Sequence, residues 1–414
     1  MINEYCGRKA KWIGLCLSAL LLIVTGIAGA GVPAEKDNNT AEGNNQFAVD
    51  LYQRIQLAQP DKNTFYSPLG VSTALVMTYA GSRGQTEAQM AKALHFTGPQ
   101  DELHQKFSNL LTQLQTGKDK GYRLEIANAL WGQKGFSFSE PFLSLTDRYY
   151  QGSFQTLDFA KDTENSRMTI NHWVEERTDN KIKNLLQQGD LTYLTRLVLT
   201  NAIYFKGDWE KPFKAEATSN QPFRLADGSK IDAALMRQSD TFAYAESEGV
   251  QAVELPYAGD DVAMLVLLPN GSAADLARNL SPEQIRTLRA QMTMKQVEVS
   301  LPKFKFATRY YLDDEKLLPA LGMADAFDQY KADLSGMDGR KDLYISHVIH
   351  QAMIEVNEKG SEAAAATAVV VGLKSFLPQQ PTIFRADHPF LFLIVHKPTD
   401  SILFMGAVND PSKS

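Results

Sequence analysis

A catalytic activity would first be sought in histidine, cysteine and serine residues spaced as in known catalytic motifs. The sequence contains no Gly-x-Ser-x-Gly, no phosphate-binding loop and no His-Glu-x-x-His motif. The two cysteines, Cys6 and Cys16, both lie in the first 30 residues. His347 and His350 are three residues apart, so on a strand they would point to opposite faces and would not share a metal ion. We therefore expect no enzyme, no metal site and no cofactor.

The segment 358–368, Glu-Lys-Gly-Ser-Glu-Ala-Ala-Ala-Ala-Thr-Ala, is the most unusual one in the chain. Its four consecutive alanines favour a helix, whereas the glycine before them and the β-branched run 369–371 after them favour a strand. On a strand, alternate side chains would share one face, and each is small enough to pass over an existing core. Those side chains are Ser361, Ala363, Ala365 and Thr367. The segment alone leaves helix and strand open.

The composition is that of a globular protein. The 414 residues are 44% hydrophobic and 22% charged, which excludes disorder over most of the chain. The net charge is −6 and no block of basic residues is present, so we expect no nucleic-acid partner.

The first 30 residues have the pattern of a signal peptide. Arg8, Lys9 and Lys11 precede an apolar run over 13–27, and small residues follow at 28–30. The sequence thus predicts a secreted or periplasmic protein with no membrane attachment after leader removal, although an uncleaved anchor is the alternative. Both cysteines would leave with the leader, so the mature chain would have no disulfide.

The remaining sequence is expected to fold as α+β. Residues 31–45 are small and polar and predict a disordered tail, and no linker divides 46–414, which predicts a single domain. Helical periodicity covers 47–57, 71–81 and 168–186, and Ser281-Pro-Glu-Gln284 has the pattern of a capping box. Strands are predicted over 262–268, 296–301 and 391–395.

Four motifs, in this order, resemble those of the serpin family. They are Asn63–Leu75, Leu199–Phe213, His350–Thr367, and the pair Ala386–Phe392 with Phe404–Pro411. The resemblance covers about residues 46–411. It implies a fold in which helices pack around three β-sheets and a reactive-centre loop, at about 358–385, is exposed.

The resemblance also assigns residues to roles. Ser67, Asn201 and His350 match the polar shutter beneath the centre of the main sheet, and Trp209 with Lys303 matches the breach where the loop begins to insert. Gly70 departs from the family pattern, since many relatives carry Ser there, which puts the closure of the shutter in doubt. The residues that match the family's hinge are Glu358, Gly360, Ser361, Glu362, Ala363, Ala364, Ala365, Ala366 and Thr367. Lys303 is the expected partner of Glu358.

Counting along the family's loop, the bond between Lys374 and Ser375 is the candidate for attack, because Lys374 lies sixteen residues after Glu358. A lysine at this point suits a protease with an acidic specificity pocket, that is, a trypsin-like enzyme. Leu373, Phe376 or Leu377 are alternatives that would suit apolar pockets.

The resemblance implies a suicide inhibitor of serine proteases, with cysteine proteases as a further class. Its partner would be the target protease in a covalent acyl complex, and the inhibitor is expected to be a monomer. The alternative is a non-inhibitory serpin that acts as a binding or carrier protein. Such relatives often have bulky, charged or proline residues in the hinge, and this hinge has none beyond Glu362.

Overall fold

A six-stranded sheet contains the beginning of the predicted hinge, Gly360–Ser361. Its strands are β2 (Tyr122–Gln133), β3 (Phe154–Leu157), β4 (Leu197–Asp208), β10 (Phe304–Tyr311), β11 (Ile345–Asn357) and β12 (Gly360–Ser361). They are arranged in the order β10-β11-β12-β4-β2-β3. The structure is a computed structural model, and it describes residues 38–115, 122–151, 153–361 and 380–413.

The other sheet has nine strands. They are β1 (Thr64–Tyr66), β5 (Ser219–Arg224), β6 (Lys230–Ser247), β7 (Val250–Pro256), β8 (Val262–Pro269), β9 (Thr293–Pro302), β13 (Thr382–Arg385), β14 (Phe390–His396) and β15 (Ser401–Val408). The 18-residue strand β6 pairs with β5 near its beginning, with β9 over its middle and with β7 near its end. Because β6 connects them, the described strands form two continuous sheets where three were expected.

The helices lie mostly in the first half of the chain and cover the sheets. They are α1 (Asn38–Ala58), α2 (Pro68–Tyr79), α3 (Gly84–Ala93), α4 (Gln100–Gln115), α5 (Glu140–Tyr150), α6 (Thr163–Arg177), α7 (Ala273–Asn279), α8 (Pro282–Gln291) and α9 (Ser335–Asp338). Short 3-10 helices cover 215–217, 319–321 and 324–327. The predicted α+β class is confirmed.

The main core lies between α1, α2 and the two sheets. In its centre Phe404 of β15 stacks on Phe65 of β1 at 4.9 Å between ring centroids and lies 5.8 Å from Phe205 of β4, so the two sheets meet there. A smaller core fills the opposite face of the six-stranded sheet beneath α6, where Trp131 meets Trp173 edge to face at 5.3 Å. The six-stranded sheet is therefore buried on both faces in its centre.

The predicted strands are all present as β8, β9 and β14, and the capping box at the start of α8 is formed through Ser281 and Gln284. One helix prediction needs correction. The helix expected over 168–186 ends at Arg177, because Asp179 and Asn180 take positive φ angles of 48° and 59°.

The disordered tail predicted for 31–45 is also wrong from residue 38 onward, because α1 begins at Asn38. Tertiary contacts hold this first part of the helix. Asn45 donates from Nδ2 to the carbonyl of Asp400 at 2.7 Å, and its Oδ1 accepts from the backbone N–H of Ile402 at 2.8 Å. Residues 31–37 lie outside the described part of the chain, as does the predicted leader.

The range predicted for the reactive loop, 358–385, includes two short strands, Gly360–Ser361 and Thr382–Arg385. Residues 362–379 lie outside the described part, and with them the hinge residues 362–367 and the candidate bond between Lys374 and Ser375. Among the described helices, none is both long and apolar enough to cross a membrane.

Candidate functional site

The start of the hinge is already a strand of the six-stranded sheet. In β12, Ser361 lies opposite Val356 of β11 and Gly207 of β4, antiparallel to both. Beyond β12, residues 345–353 of β11 pair directly and in parallel with 197–204 of β4. We call the end of this sheet at which β12 lies the hinge end, and the end at which β4 and β11 begin the far end. The two neighbours are thus held apart at the hinge end and closed towards the far end.

Gly360 is required by this close approach. Its φ angle is 151°, and a Cβ atom there would lie 2.1 Å from the carbonyl oxygen of Gly207 and 2.6 Å from Cα of Asp208. Side chains rarely adopt this conformation, and the contacts would be with backbone that cannot move aside cheaply. A glycine at this position therefore allows the chain to enter the space between β4 and β11.

Ser361 points into the core at the hinge end. It is fully buried, and its hydroxyl lies 2.8 Å from the hydroxyl of Tyr257. Burial raises the pKa of Tyr257, so this phenol stays protonated. Trp209 stacks on Tyr257 at 4.6 Å between ring centroids, and its indole N–H donates to the carbonyl of Asn357 at 3.0 Å. Trp209, which the resemblance places where the loop begins to insert, therefore lies beside the chain that leads into β12.

Glu358 is held by the predicted partner. Lys303 donates from Nζ to the two carboxylate oxygens of Glu358 at 2.9 and 3.1 Å, and the hydroxyl of Thr218 donates to Oε1 at 2.9 Å. Burial alone would raise the pKa of Glu358, but the bonds from Lys303 and Thr218 outweigh it and lower that pKa. Glu358 is therefore ionised at neutral pH and anchors the chain just before β12.

Five residues beneath the centre of the same sheet form a closed ring of hydrogen bonds. The backbone N–H of Ser67 donates to Nε2 of His350 at 3.1 Å, and Nδ1 of His350 bonds Oδ1 of Asn201. Nδ2 of Asn201 donates to Oδ1 of Asn128, whose own Nδ2 donates to the carbonyl of Gly70 at 3.2 Å. The N–H of Gly70 donates to Oγ of Ser67 at 3.0 Å and closes the ring. We call these residues the hydrogen-bonded ring.

The ring ties the first turn of α2 to three adjacent strands, because Asn128 is in β2, Asn201 in β4 and His350 in β11. Each member donates a hydrogen bond to the next, in the same direction around the ring, when His350 is neutral and carries its proton on Nδ1. Burial lowers the pKa of His350 to about 3, so the neutral form prevails at physiological pH. The predicted shutter residues Ser67, Asn201 and His350 thus lie together and are joined.

Gly70 does not leave the ring open. A Cβ atom at this position would lie 2.6 Å from Nδ2 and 2.7 Å from Oδ1 of Asn201, so the absence of a side chain makes the room that Asn201 occupies. The N–H and the carbonyl of Gly70 both take part in the ring. The departure from the family pattern is therefore matched by the placement of the neighbouring asparagine.

Asn128 was missed by the sequence reasoning. It is a single polar residue in an apolar stretch of β2, and it is 8% exposed. A lone amide between Ala127 and Ala129 was the available signal, because a buried polar side chain needs partners. The sequence did not say which partners these were, since Asn201 and Gly70 come from distant parts of the chain.

The two histidines in the first half of β11 have different partners. Nδ1 of His347 lies 3.2 Å from Oδ2 of Asp313, whereas His350 belongs to the ring. Within the described ranges, no group of three or more His, Cys, Asp or Glu side chains could hold a metal ion.

Comparison with known proteins agrees with this architecture. The family model described as "Serpin (serine protease inhibitor)" matches residues 42–411. Leukocyte elastase inhibitor from Bos taurus is 41% identical over 378 residues, which are 89% of this chain and 98% of that protein. The human protein of the same name is 39% identical over 381 residues, which are 90% of this chain and 99% of that protein. The solved structure of Serpin48 from the insect Tenebrio molitor has a TM-score of 0.79 and 31% identity, and covers 91% of this chain and 99% of its own.

The α+β fold with two sheets, the strand β12 between β4 and β11, and the family match all agree. The chain belongs to the serpins. It is a protease inhibitor and not an enzyme.

Proposed function

We propose that this serpin is an exported suicide inhibitor of serine proteases that inserts its cleaved loop into the six-stranded sheet. The observation that carries the proposal is β12, since Gly360 and Ser361 already pair with both β4 and β11. A strand that has begun between its two neighbours needs no separate nucleation step. Insertion then consists of extending β12 while the parallel pairing of β4 with β11 opens ahead of it.

The register of β12 sets where each following residue would come to lie. Each residue after Ser361 moves the pairing one position along both neighbours. Thr367 would therefore lie opposite Asn201 and His350, and Val371 opposite the first residue of β4. Alternate residues share the face of Ser361, so small side chains would pass over the core and Thr367 would reach the hydrogen-bonded ring.

Thr367 suits that position because insertion separates His350 from Asn201. A hydroxyl carries one donor and accepts as well, so it fits between Nδ1 of His350 and Oδ1 of Asn201 without reversing the direction of the ring. Continuing β12 as far as Val371 would add on the order of ten net backbone hydrogen bonds, each worth about 1 kcal/mol. The intact molecule is accordingly metastable and its closed sheet is maintained by a kinetic barrier.

The protease supplies the nucleophile in this scheme. Its serine Oγ attacks the carbonyl carbon of Lys374 and forms an ester as the bond to Ser375 breaks, and the protease's base gives the proton to the new amino group. Residues from Ser361 to Lys374 then insert and carry the tethered enzyme along. Fourteen extended residues, counted from the sequence, span roughly 45 Å. Water cannot complete the reaction once the protease site is distorted.

Lys374 favours a trypsin-like target, because the lysine ammonium needs an acidic pocket. The relatives named leukocyte elastase inhibitor support the alternative of an apolar pocket, which Leu373, Phe376 or Leu377 would fill. Export rests on the pattern of the first 30 residues, with a secreted or periplasmic location. Cysteine proteases are a further class of target, since they form the same acyl bond.

Incubation with trypsin and an elastase, followed by a denaturing gel and mass spectrometry, tests the proposal. We expect a covalent adduct and a new amino end at Ser375. The variants Ala363→Arg and Ala365→Pro should be cleaved without forming an adduct, because neither residue can pass into the sheet. A stable adduct from either variant would refute insertion, and cleavage of the wild-type chain without any adduct would favour the non-inhibitory alternative.

A further inference from the structure

Asn270 and Gly271 form the sole Asn-Gly pair in the 414 residues of the sequence. The pair lies in the turn between β8, which ends at Pro269, and α7, which begins at Ala273. Both residues are exposed. Asn-Gly pairs favour turns because glycine adopts conformations that other residues avoid. They also favour a reaction between the asparagine side chain and the next peptide nitrogen, since glycine has no side chain to obstruct it.

The atoms that would react are free of hydrogen bonds. Among the residues that the structure describes, none is bonded to the side-chain amide of Asn270 or to the N–H of Gly271. A Cβ atom at position 271 would have no heavy atom of a more distant residue within 4 Å, so the turn is uncrowded. The chain is held on either side instead. The N–H of Asn270 donates to the carbonyl of Gly249 at 2.7 Å, and Oγ of Ser272 accepts from the N–H of Asp275 at 3.3 Å.

We propose that Asn270 is a site of spontaneous modification, at which the side-chain amide is lost and an aspartate or isoaspartate residue takes its place. The backbone nitrogen of Gly271 gives its proton to a base in solvent and attacks Cγ of Asn270. A five-membered ring closes as this C–N bond forms. The bond from Cγ to Nδ2 then breaks, and the nitrogen leaves as ammonia after taking a proton from water.

Water is the second reactant, and it opens the ring at one of two bonds. Hydrolysis of the newly formed bond restores the backbone and leaves aspartate. Hydrolysis of the original peptide bond leaves isoaspartate, in which the chain runs through the side-chain carbon. Both routes consume one water and release one ammonia, and neither changes an oxidation state. Covalent changes of this kind alter the local charge and the backbone.

Asn279, at the end of α7, provides an internal comparison. Its Nδ2 donates to the carbonyl of Asp275 at 3.0 Å, so the side chain is already held in another direction. The next residue is Leu280, which is 2% exposed, and its fixed side chain crowds the peptide nitrogen that would have to attack. We therefore expect the same reaction to be slow at Asn279, although both asparagines are exposed.

The product would weaken the connection between β8 and α7. Asn270 lines a groove of about 570 Å³ whose charged lining residues are Glu248, Asp275 and Glu283, all acidic. A carboxylate at position 270 adds another negative charge to this groove, and like charges repel. Isoaspartate also lengthens the backbone by one carbon just before Ser272, whose side chain caps α7. Both changes should lower the melting temperature of the modified protein.

Peptide mapping by mass spectrometry tests this inference. The intact protein is kept in warm, mildly alkaline buffer and digested at intervals. We expect the mass of the peptide with Asn270 to rise by the difference between an amide and an acid, and an isoaspartyl methyltransferase to label it. The peptide with Asn279 should stay unchanged. The variant Asn270→Asp, which is one of the two products, should melt below the wild type.

Gly271→Ala is the matched variant. The φ angle of Gly271 is not positive and a Cβ atom there meets no other residue, so the variant should fold as the wild type does. Its methyl group should hinder the attack and slow the conversion about tenfold. Equal rates for Gly271→Ala and the wild type would overturn the proposal, as would equal conversion of Asn270 and Asn279. Conversion of Asn270 in the urea-unfolded chain but not in the native protein would also overturn it. No protease takes part, so the result is independent of the proposed function.

Discussion

Removing the side chain of Asn128 should accelerate the opening of the six-stranded sheet. The substitution Asn128→Ala breaks the hydrogen-bonded ring at two points and leaves Nδ2 of Asn201 and the carbonyl of Gly70 without partners. Each buried group that loses its bond costs about 1–3 kcal/mol, so the closed sheet should lose about 2–6 kcal/mol. Before Thr367 arrives, opening frees Asn201 from His350, so its unpaired amide can turn to another partner and part of the loss falls on the closed form alone.

The effect on rate follows from how much of that loss is felt at the transition state for opening. If half of a loss of about 3 kcal/mol is realised there, the rate of spontaneous insertion rises roughly tenfold. The intact protein is held at a temperature below unfolding without any protease, and samples are withdrawn over time. The fraction that has become resistant to unfolding in concentrated urea measures insertion without reference to the identity of the target.

Asn44→Ala is the matched control. Asn44 is 3% exposed, donates to the carbonyl of Ile402 at 3.2 Å and accepts from the hydroxyl of Ser72 at 3.0 Å, so it also loses two buried hydrogen bonds. It lies on α1, away from the contact between β4 and β11. Equal rates of conversion for Asn128→Ala and Asn44→Ala would refute the role assigned to the ring.

Three further predictions concern the same sheet. The native state should lose stability as pH falls below 6.5 towards the folded pKa of His350, about 3, because the unfolded chain takes up the proton first. Between pH 7.5 and pH 5 the variant His350→Gln should therefore lose about 2 kcal/mol less stability than the wild type, as measured by urea titration. Gly360→Ala should expel β12, since its Cβ would lie 2.1 Å from a carbonyl oxygen, and should raise the number of inhibitor molecules cleaved per protease trapped; an unchanged ratio would contradict it. Thr367→Val should lower the melting temperature of the cleaved form more than Thr367→Ser does, and equal shifts would show that the hydroxyl does not join the ring.

The sequence predicted the features that depend on local pattern or on a family motif. The capping box of α8 and the apolar strand β8 follow from neighbouring residues, and the residues that match the shutter are found together. Features that depend on distant partners escaped it. The first turns of α1 are rich in asparagine, a poor helix former, and form because Asn44 and Asn45 bond to β15. The apolar residues of 178–186 continue the helical spacing but are buried in an irregular segment after α6 has ended.

Gly360 and the hydrogen-bonded ring have opposite effects on the same pair of strands. Gly360 keeps β4 and β11 apart at the hinge end, where a side chain would collide with Gly207. The ring keeps them together in the middle, because its buried polar groups are satisfied while they are paired and are costly in free energy when left unpaired. Apolar contacts alone would be lost little by little as the strands separate. A closed ring of hydrogen bonds, in contrast, is interrupted when any one of its bonds opens. In the proposed insertion, a barrier of this kind stays high until a strand arrives with its own donor and acceptor, which the hydroxyl of Thr367 would supply.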